Sequence, residues 1–207
     1  MAIQKRSTDA PLDAVALLKQ DHRAVEALFD EFEDTEDEGE QSTLATRICQ
    51  MLTVHAQIEE EILYPQAKDA FDDEDDEMVY EAEIEHGSAK ELIAKIEAST
   101  PEDPQFKSLV KVLSEYIKHH VKEEETELFP KVKKTELDLK EMGAQLNERK
   151  MALMQELGIE PEPEETATTK RKKTSGRSGR SSGTKARQAR AGGRSKSASK
   201  SGRSARH

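Results

Sequence analysis

The sequence predicts an all-α chain: an up-down-up-down four-helix bundle, an extra C-terminal helix and a disordered basic tail. Three observations point there. Apolar residues recur at three- and four-residue steps in four successive stretches of similar length, the period of a helix that buries one face. The connections between them are short and rich in acids, glycine or proline, which suits antiparallel neighbours. Aromatic residues make up only 4% of the chain and tryptophan is absent, so the core is built from Leu, Ile and Val, as in a helical bundle rather than a β-sandwich.

The first helix is expected over about residues 9–33, with Asp9 as cap and Pro11 in its first turn. Its stripe runs Val15, Leu18, His22, Val25, Phe29, Phe32. The acidic run 30–40, with Gly39, makes a loop. A second helix covers about 41–69, with stripe Leu44, Ile48, Leu52, His55, Glu59, Ile62. Pro65 lies near its end and loosens the last turns. The acidic run 72–77 makes the next connection. The third helix spans about 76–98, with stripe Val79, Ala82, His86, Ala89, Ile93, Ile96, and Ser99, Thr100 and Pro101 stop it. The fourth starts after Thr100 and runs to about 134, with stripe Phe106, Leu109, Leu113, Ile117, His120, Glu124, Leu128. A shorter fifth helix, about 136–157, carries Leu139, Met142, Leu146 and Leu153 on one side and ends at Gly158. That side fits either docking on the bundle or a partner. The resulting organisation is a bundle at 1–134, an accessory helix at 135–158, and a linker with tail at 159–207.

Charge divides the chain at the same place. Residues 170–207 hold 14 of the 32 Lys and Arg and no acid, leaving a net charge of −25 on residues 1–169. The tail has nine Ser and six Gly and almost no apolar content, so disorder is expected. Its bases form an electrostatic footprint for nucleic acid or another polyanion, densest at Lys170, Arg171, Lys172 and Lys173. No aromatic residue is present there to stack on bases, so binding would be to phosphates and salt-sensitive. Collapse of the tail onto the acidic bundle is the competing reading. The single cysteine, Cys49, allows neither an intramolecular disulfide nor a thiolate metal site. The first residues lack the apolar core of a signal peptide, and no stretch approaches the ~18 apolar residues of a membrane helix. A soluble cytoplasmic protein with no membrane partner is expected; the oligomeric state is left open.

One constellation bounds the chemistry. His22, His55, His86 and His120 each fall in the apolar stripe of a different predicted helix. Glu59 follows His55 by one turn and Glu124 follows His120 by one turn, in the near-duplicate frames H-A-Q-I-E-E-E-I-L-Y-P and H-V-K-E-E-E-T-E-L-F-P. Residues at i and i+4 share a helix face, so each pair can grip one metal region. A carboxylate in an apolar stripe is costly to bury alone; a metal ion supplies the charge it needs. His119 points about 100° away from His120 around the helix, and the register favours His120. Imidazole and carboxylate together suit iron, zinc or manganese. Two iron ions (Fe2+/Fe3+) with an oxo or hydroxo bridge are the reading taken here, zinc and manganese ranking below them. Two bridging glutamates and two histidines per ion leave an open position on each, unlike a closed structural zinc site. Histidine dominates the set, which favours reversible binding or mild redox over attack on strong C–H bonds.

These residues resemble the hemerythrin-like, HHE cation-binding family. The likeness rests on D-H-R at His22, H-x-x-x-E-E-E-I-L-Y-P from His55, E-H ending at His86 and H-x-x-x-E-E-x-E-L-F-P from His120, and it covers about residues 12–134. It implies a hemerythrin-like bundle with a non-haem di-iron centre, in which His22, His55, His86 and His120 are terminal ligands and Glu59 and Glu124 bridge. Oxygen carriers of the family have a further histidine where this chain has Lys90, and their helix-four carboxylate is an aspartate one residue further on. The six-ligand pattern looks more like bacterial relatives tied to nitric oxide stress, iron handling and oxygen sensing. Lys90 either nears the open position or turns to solvent, with solvent favoured. Tyr64, Tyr80 and Tyr116 are candidate donors near the site, more ordinarily core or boundary residues.

The functional expectation is a di-iron protein that binds or senses oxygen, nitric oxide or hydrogen peroxide in stress or iron homeostasis. The alternatives are an enzyme detoxifying peroxide or nitric oxide, an iron storage or delivery protein, and a histone-like nucleic-acid binder in which the bundle is a scaffold.

Overall fold

A computed structural model describes residues 12–72 and 75–159. The chain divides into two units, 1–163 and 164–207, and every described residue lies in the first. The tail cluster at 170–173 is therefore outside the described residues, as are Asp9 and Pro11.

Helix α1 is Ala14–Asp34 and starts later than the expected residue 9, one residue ahead of the first apolar position of its stripe. Asp13 is its cap: the carboxylate accepts the Ala16 N–H at 2.8 Å, satisfying a donor that the first turn leaves unpaired. Helix α2 is Glu38–Ile58, capped by Asp37 through the Glu40 N–H at 2.9 Å. Its continuation is not one regular helix. Residues Glu59–Leu63 form a π-helical turn, and α3 follows at Tyr64–Ala70. Helix α4 is Asp76–Glu97. Helix α5 is Phe106–Glu123, followed by a second π turn at Glu124–Leu128 and a short α6, Phe129–Val132. The fourth helix does not begin directly after Thr100, because Asp103 accepts the Thr100 N–H at 2.7 Å and pins a turn there. The fifth, α7, is Leu139–Glu156, capped by Asp138.

The two π turns share a cause. Each ends just before a proline, Pro65 or Pro130. Proline lacks an N–H, and its ring crowds the carbonyl four residues back. The turn ahead of it opens by one residue instead: the Tyr64 N–H reaches Glu59 O and the Phe129 N–H reaches Glu124 O, five residues back. The wider turn carries Tyr64 and Phe129 inward, where both are essentially fully buried.

In cross-section α1 packs on α2 and α5, and α4 packs on α2 and α5, the square expected of an up-down-up-down bundle. The apolar interior is in two parts. One gathers Val15, Leu18, Ile58, Leu63, Val79 and Phe129; the other gathers Val25, Phe29, Ile48, Ile93, Leu113 and Ile117. His22, His55, His86 and His120 lie in sequence between these two sets on their four helices. The periodicity of the fifth helix could not choose between docking and a partner; in the structure α7 docks. Met142, Leu146 and Leu153 bury themselves in the first apolar cluster, and Arg149 pairs with Glu61 at 2.6 Å through Nε. Among the described residues no helix is long and apolar enough to cross a membrane.

Gly143 is where α7 comes closest to the start of α1. A Cβ there would stand 2.3 Å from the Leu12 carbonyl oxygen and 2.8 Å from the Ala14 nitrogen. Alanine would add about 1 kcal/mol of helix propensity, but the obstacle is backbone, and overpacking costs about 1–3 kcal/mol. Gly143→Ala is therefore expected to lower stability in urea unfolding, whereas a gain in midpoint would show that α7 is not seated against α1.

Candidate metal centre

Four helices each contribute one buried imidazole to a common layer. His22 comes from α1, His55 from α2, His86 from α4 and His120 from α5. The rings pair: Nε2 of His22 lies 3.1 Å from Nε2 of His55, and Nε2 of His86 lies 3.1 Å from Nε2 of His120. Glu59 and Glu124, at the starts of the two π turns, stand between the pairs. Glu59 Oε2 is 3.2 Å from His55 Nε2 and 3.5 Å from His86 Nε2. Glu124 Oε2 is 3.3 Å from His22 Nε2 and 3.6 Å from His120 Nε2. Each carboxylate thus reaches one imidazole of each pair, so the structure brings all six candidate residues together.

Behind every ring stands a second carboxylate, facing Nδ1. His22 Nδ1 faces Glu125 at 3.0 Å, His86 Nδ1 faces Glu60 at 3.0 Å, and His120 Nδ1 faces Glu85 at 2.7 Å. His55 Nδ1 is further from its partner, 3.6 Å from Asp21 Oδ2. A proton on Nδ1 donated outward leaves the Nε2 lone pair aimed inward, the state a metal ligand needs. These outer acids are held in turn by Lys19 and Arg23 on Glu125, Lys90 on Glu60 and Lys150 on Asp21. Sequence reading missed all four outer acids. The available signal was adjacency: Asp21 precedes His22, Glu85 precedes His86, and Glu60 and Glu125 follow the two inner glutamates. Lys90 is exposed and bonded to Glu60 at 2.6 Å, as the solvent reading of that position expects.

Three of the four inner carboxylate oxygens have nothing to satisfy them. Both oxygens of Glu59 and Oε2 of Glu124 are buried without a hydrogen-bond partner. Leaving such groups bare costs several kcal/mol on the order of magnitude of a buried charge. Protonation is the substitute for a cation. Burial pushes Glu59 well above the ordinary carboxylate range, and the charge of Glu124 adds to the push. Burial also works to raise Glu124, but His120 and His22 outweigh it and hold that carboxyl well below the ordinary range. Burial lowers His55 to about 4 and lowers His86 as well. It opposes charge on His22 and His120 too, yet the Glu124 carboxylate beside both raises them above the ordinary imidazole value. The donor chemistry, two imidazoles and two shared carboxylates on either side, fits a pair of cations.

Tyr64 completes the site. Its hydroxyl donates to Glu124 Oε1 at 3.0 Å and lies 3.2 Å from His86 Nε2. Burial and the two glutamates raise its pKa well above the ordinary phenol, so it remains a donor. Phe129 stacks on His22, with centroids 5.8 Å apart. Tyr80 is instead exposed under Lys68, and Tyr116 packs at the edge of the second apolar cluster. Two clefts reach the centre. One of about 340 Å³, between α1 and α5, is floored by Val25, Phe29 and Ile117 and ends at His22. The other, about 50 Å³, ends at His120 and Glu124.

The family model of the Hemerythrin HHE cation binding domain matches residues 13–132, more than half of the chain. A protein of Nostoc sp. named DNA nickase is 30% identical over 132 residues, covering 64% of this chain and 37% of the relative. This chain thus spans well under half of that relative's length. A crystal structure of a hemerythrin HHE cation binding domain-containing protein from Mycobacterium kansasii matches with a TM-score of 0.60 at 20% identity, covering 70% of this chain and 89% of that one. That last likeness is one of fold.

Two outcomes follow from the layered arrangement. Glu60→Gln, which weakens the acceptor behind His86, is expected to reduce metal affinity about 10–100-fold, whereas Glu61→Gln, in the same acidic run but paired with Arg149 on the surface, leaves it within about twofold; equal effects of the two would show that run charge alone matters. Because Glu59, His22 and His120 are all raised toward their protonated forms, loading must displace protons. Zinc titration in weak buffer should release acid, and affinity should fall as pH is lowered into the raised imidazole range; a pH-independent affinity would contradict the assignment.

Proposed function

The chain belongs to the Hemerythrin HHE cation-binding family, and from that premise we propose that it holds a pair of iron ions and presents them to oxygen, nitric oxide or hydrogen peroxide. The observation that carries this reading is the position of Glu59 and Glu124, each reaching one imidazole of each histidine pair. His22 and His55 would hold one ion, His86 and His120 the other, and the two glutamates would span them. Bound iron supplies a Lewis-acidic centre capable of one-electron redox change.

The protein's own residues set how that centre is met. Four protein donors per ion are fewer than an octahedral ion takes, so room is left for a small ligand. The groove between α1 and α5 offers a route to His22 through an apolar floor, which suits small, weakly polar molecules. Tyr64 keeps a hydroxyl donor at the inner face of the site. Phe129 and the two apolar clusters exclude bulk water around it, which strengthens every local hydrogen bond. Imidazole outnumbers carboxylate in the inner set, which favours reversible binding or sensing over forcing oxidations.

A second reading has its own support. The relative named DNA nickase and the fourteen bases at 170–207 together favour a chain that carries its metal centre to nucleic acid. Lys170, Arg171, Lys172 and Lys173 would grip phosphates without regard to sequence.

The test is anaerobic loading of the full chain with ferrous iron, followed by admission of air, nitric oxide or peroxide in separate samples. Two irons per chain, with near-ultraviolet absorption that responds to one of the three, are expected, and both are lost in His55→Ala; spectra indifferent to all three would move the weight to iron storage. Supercoiled plasmid added to the same loaded samples separates the second reading: nicking that disappears in His55→Ala supports it, and intact plasmid rejects it.

A further inference from the structure

The smaller cleft differs in character from the groove at His22. Its walls are Met78, Glu81, Ala82, Glu85, Glu123, Glu127 and Leu128, with His120 and Glu124 at the inner end. Among the described residues no lysine or arginine lines it. The larger groove mixes both signs, with Arg23, Lys118 and Lys122 beside Glu26 and Glu125. The two ways into one centre thus differ in charge, and the smaller is the acidic one.

Beside the acidic cleft sits a cluster of which the buried centre uses only Glu85. His119 Nε2 lies 3.1 Å from Glu123 Oε1, one turn along α5, and 3.8 Å from Glu85 Oε1, across on α4. One ligand atom from each of the three lies within 4.8 Å of the others, a spacing able to hold a metal ion. His119 is 58% exposed and Glu85 only 11% by side chain, so the cluster runs from solvent inward. Glu85 faces both ways: Oε1 points to His119, while Oε2 accepts from His120 Nδ1 at 2.7 Å. At the cleft's inner end Glu124, 2% exposed, has an Oε2 without a hydrogen-bond partner. A cation entering here meets exposed ligands first, then further carboxylates, then an unsatisfied buried one.

We propose that Glu85, His119 and Glu123 form a third, transient metal site that captures a divalent cation at the cleft mouth and feeds it to the buried centre. This rests on the two-metal reading of that centre. One imidazole and two carboxylates suit ferrous, manganous or zinc ions, and the exposure of His119 and Glu123 keeps the site weak enough to release them. A low-dielectric cleft lined by one sign of charge also concentrates its counter-ion and speeds its arrival. The ion passes inward while ligands of the loaded centre use the other groove, so filling and ligand binding do not compete for one route.

The experiment is stopped-flow loading of the metal-free full chain with Co2+, whose visible bands report coordination, in wild type, His119→Ala and Glu123→Gln. Both positions lie outside the six-ligand set. Each variant is expected to fill about tenfold more slowly and yet reach the same final count of ions and the same final spectrum. In wild type with the centre filled by Zn2+, electron paramagnetic resonance should detect one further weakly held Mn2+ that His119→Ala does not bind. A normally filled centre with unchanged loading rates overturns the feed alone, whether or not a third ion binds. A wild-type chain that never takes up a metal pair overturns the centre and the feed together.

Discussion

Everything in this bundle is arranged around six donors that cannot be left facing each other empty-handed. Four imidazole nitrogens and two carboxylates converge in a layer where Glu59 is fully buried and the other five are nearly so. Lone pairs at 3.1 Å repel unless a proton or a metal ion lies among them. The layer divides the interior into two apolar clusters, each of which could be packed by ordinary burial at about 1.5–3 kcal/mol per large side chain. The polar layer is what demands one particular register of the helices: turned by one residue, α2 would replace His55 with Val54 or Ala56, neither of which can donate an electron pair from its side chain.

The demand propagates outward in order. Three rings have an acid within hydrogen-bonding distance of Nδ1 and the fourth, His55, has one at 3.6 Å, each acid being next in sequence to some member of the inner set. The exchange is reciprocal between halves of the bundle. Asp21 on α1 faces His55 of α2 and Glu85 on α4 faces His120 of α5, while Glu60 serves His86 and Glu125 serves His22 across the centre. Three of these acids are matched by basic side chains: Lys19 and Arg23 on Glu125, Lys90 on Glu60 and Lys150 on Asp21. The last of these bases is on α7, which explains why a helix outside the four-membered bundle matters to the site: its Lys150 holds the acid that faces His55.

How legible this was depends on how far each feature is set by short-range periodicity. Helix identity and all six inner ligands follow from three- and four-residue spacing, because burying one helical face is a local matter of pattern. Boundaries followed less well. Asp13 rather than Asp9 caps α1, and Asp103 delays α5 to Phe106, since several acids compete for each cap and geometry chooses. The π turns were visible only as a suspicion about Pro65. Their effect, carrying Tyr64 and Phe129 five residues past a glutamate into the site, violates the 3.6-residue period on which face assignment rests. The outer acids lay in runs that look like solvated surface, and only the fold tells Glu60, facing His86, from Glu61, facing Arg149.

The crossed ligation has a thermodynamic consequence. Neither half of the bundle contains a complete site: α1 and α2 bring one histidine pair, α4 and α5 the other, and each glutamate must reach across. A pair of ions held this way would bind only the assembled form, so its binding free energy would add to the stability of the assembled halves, by about 4 kcal/mol when free metal is a thousandfold above its dissociation constant. Without metal, the same contacts turn into a cost, offset only in part by protons on Glu59, His22 and His120. A metal pair would therefore be a structural link between the halves as well as a chemical centre, and the two π turns, which place both crossing glutamates, are the point where fold and site geometry are decided by the same ten residues.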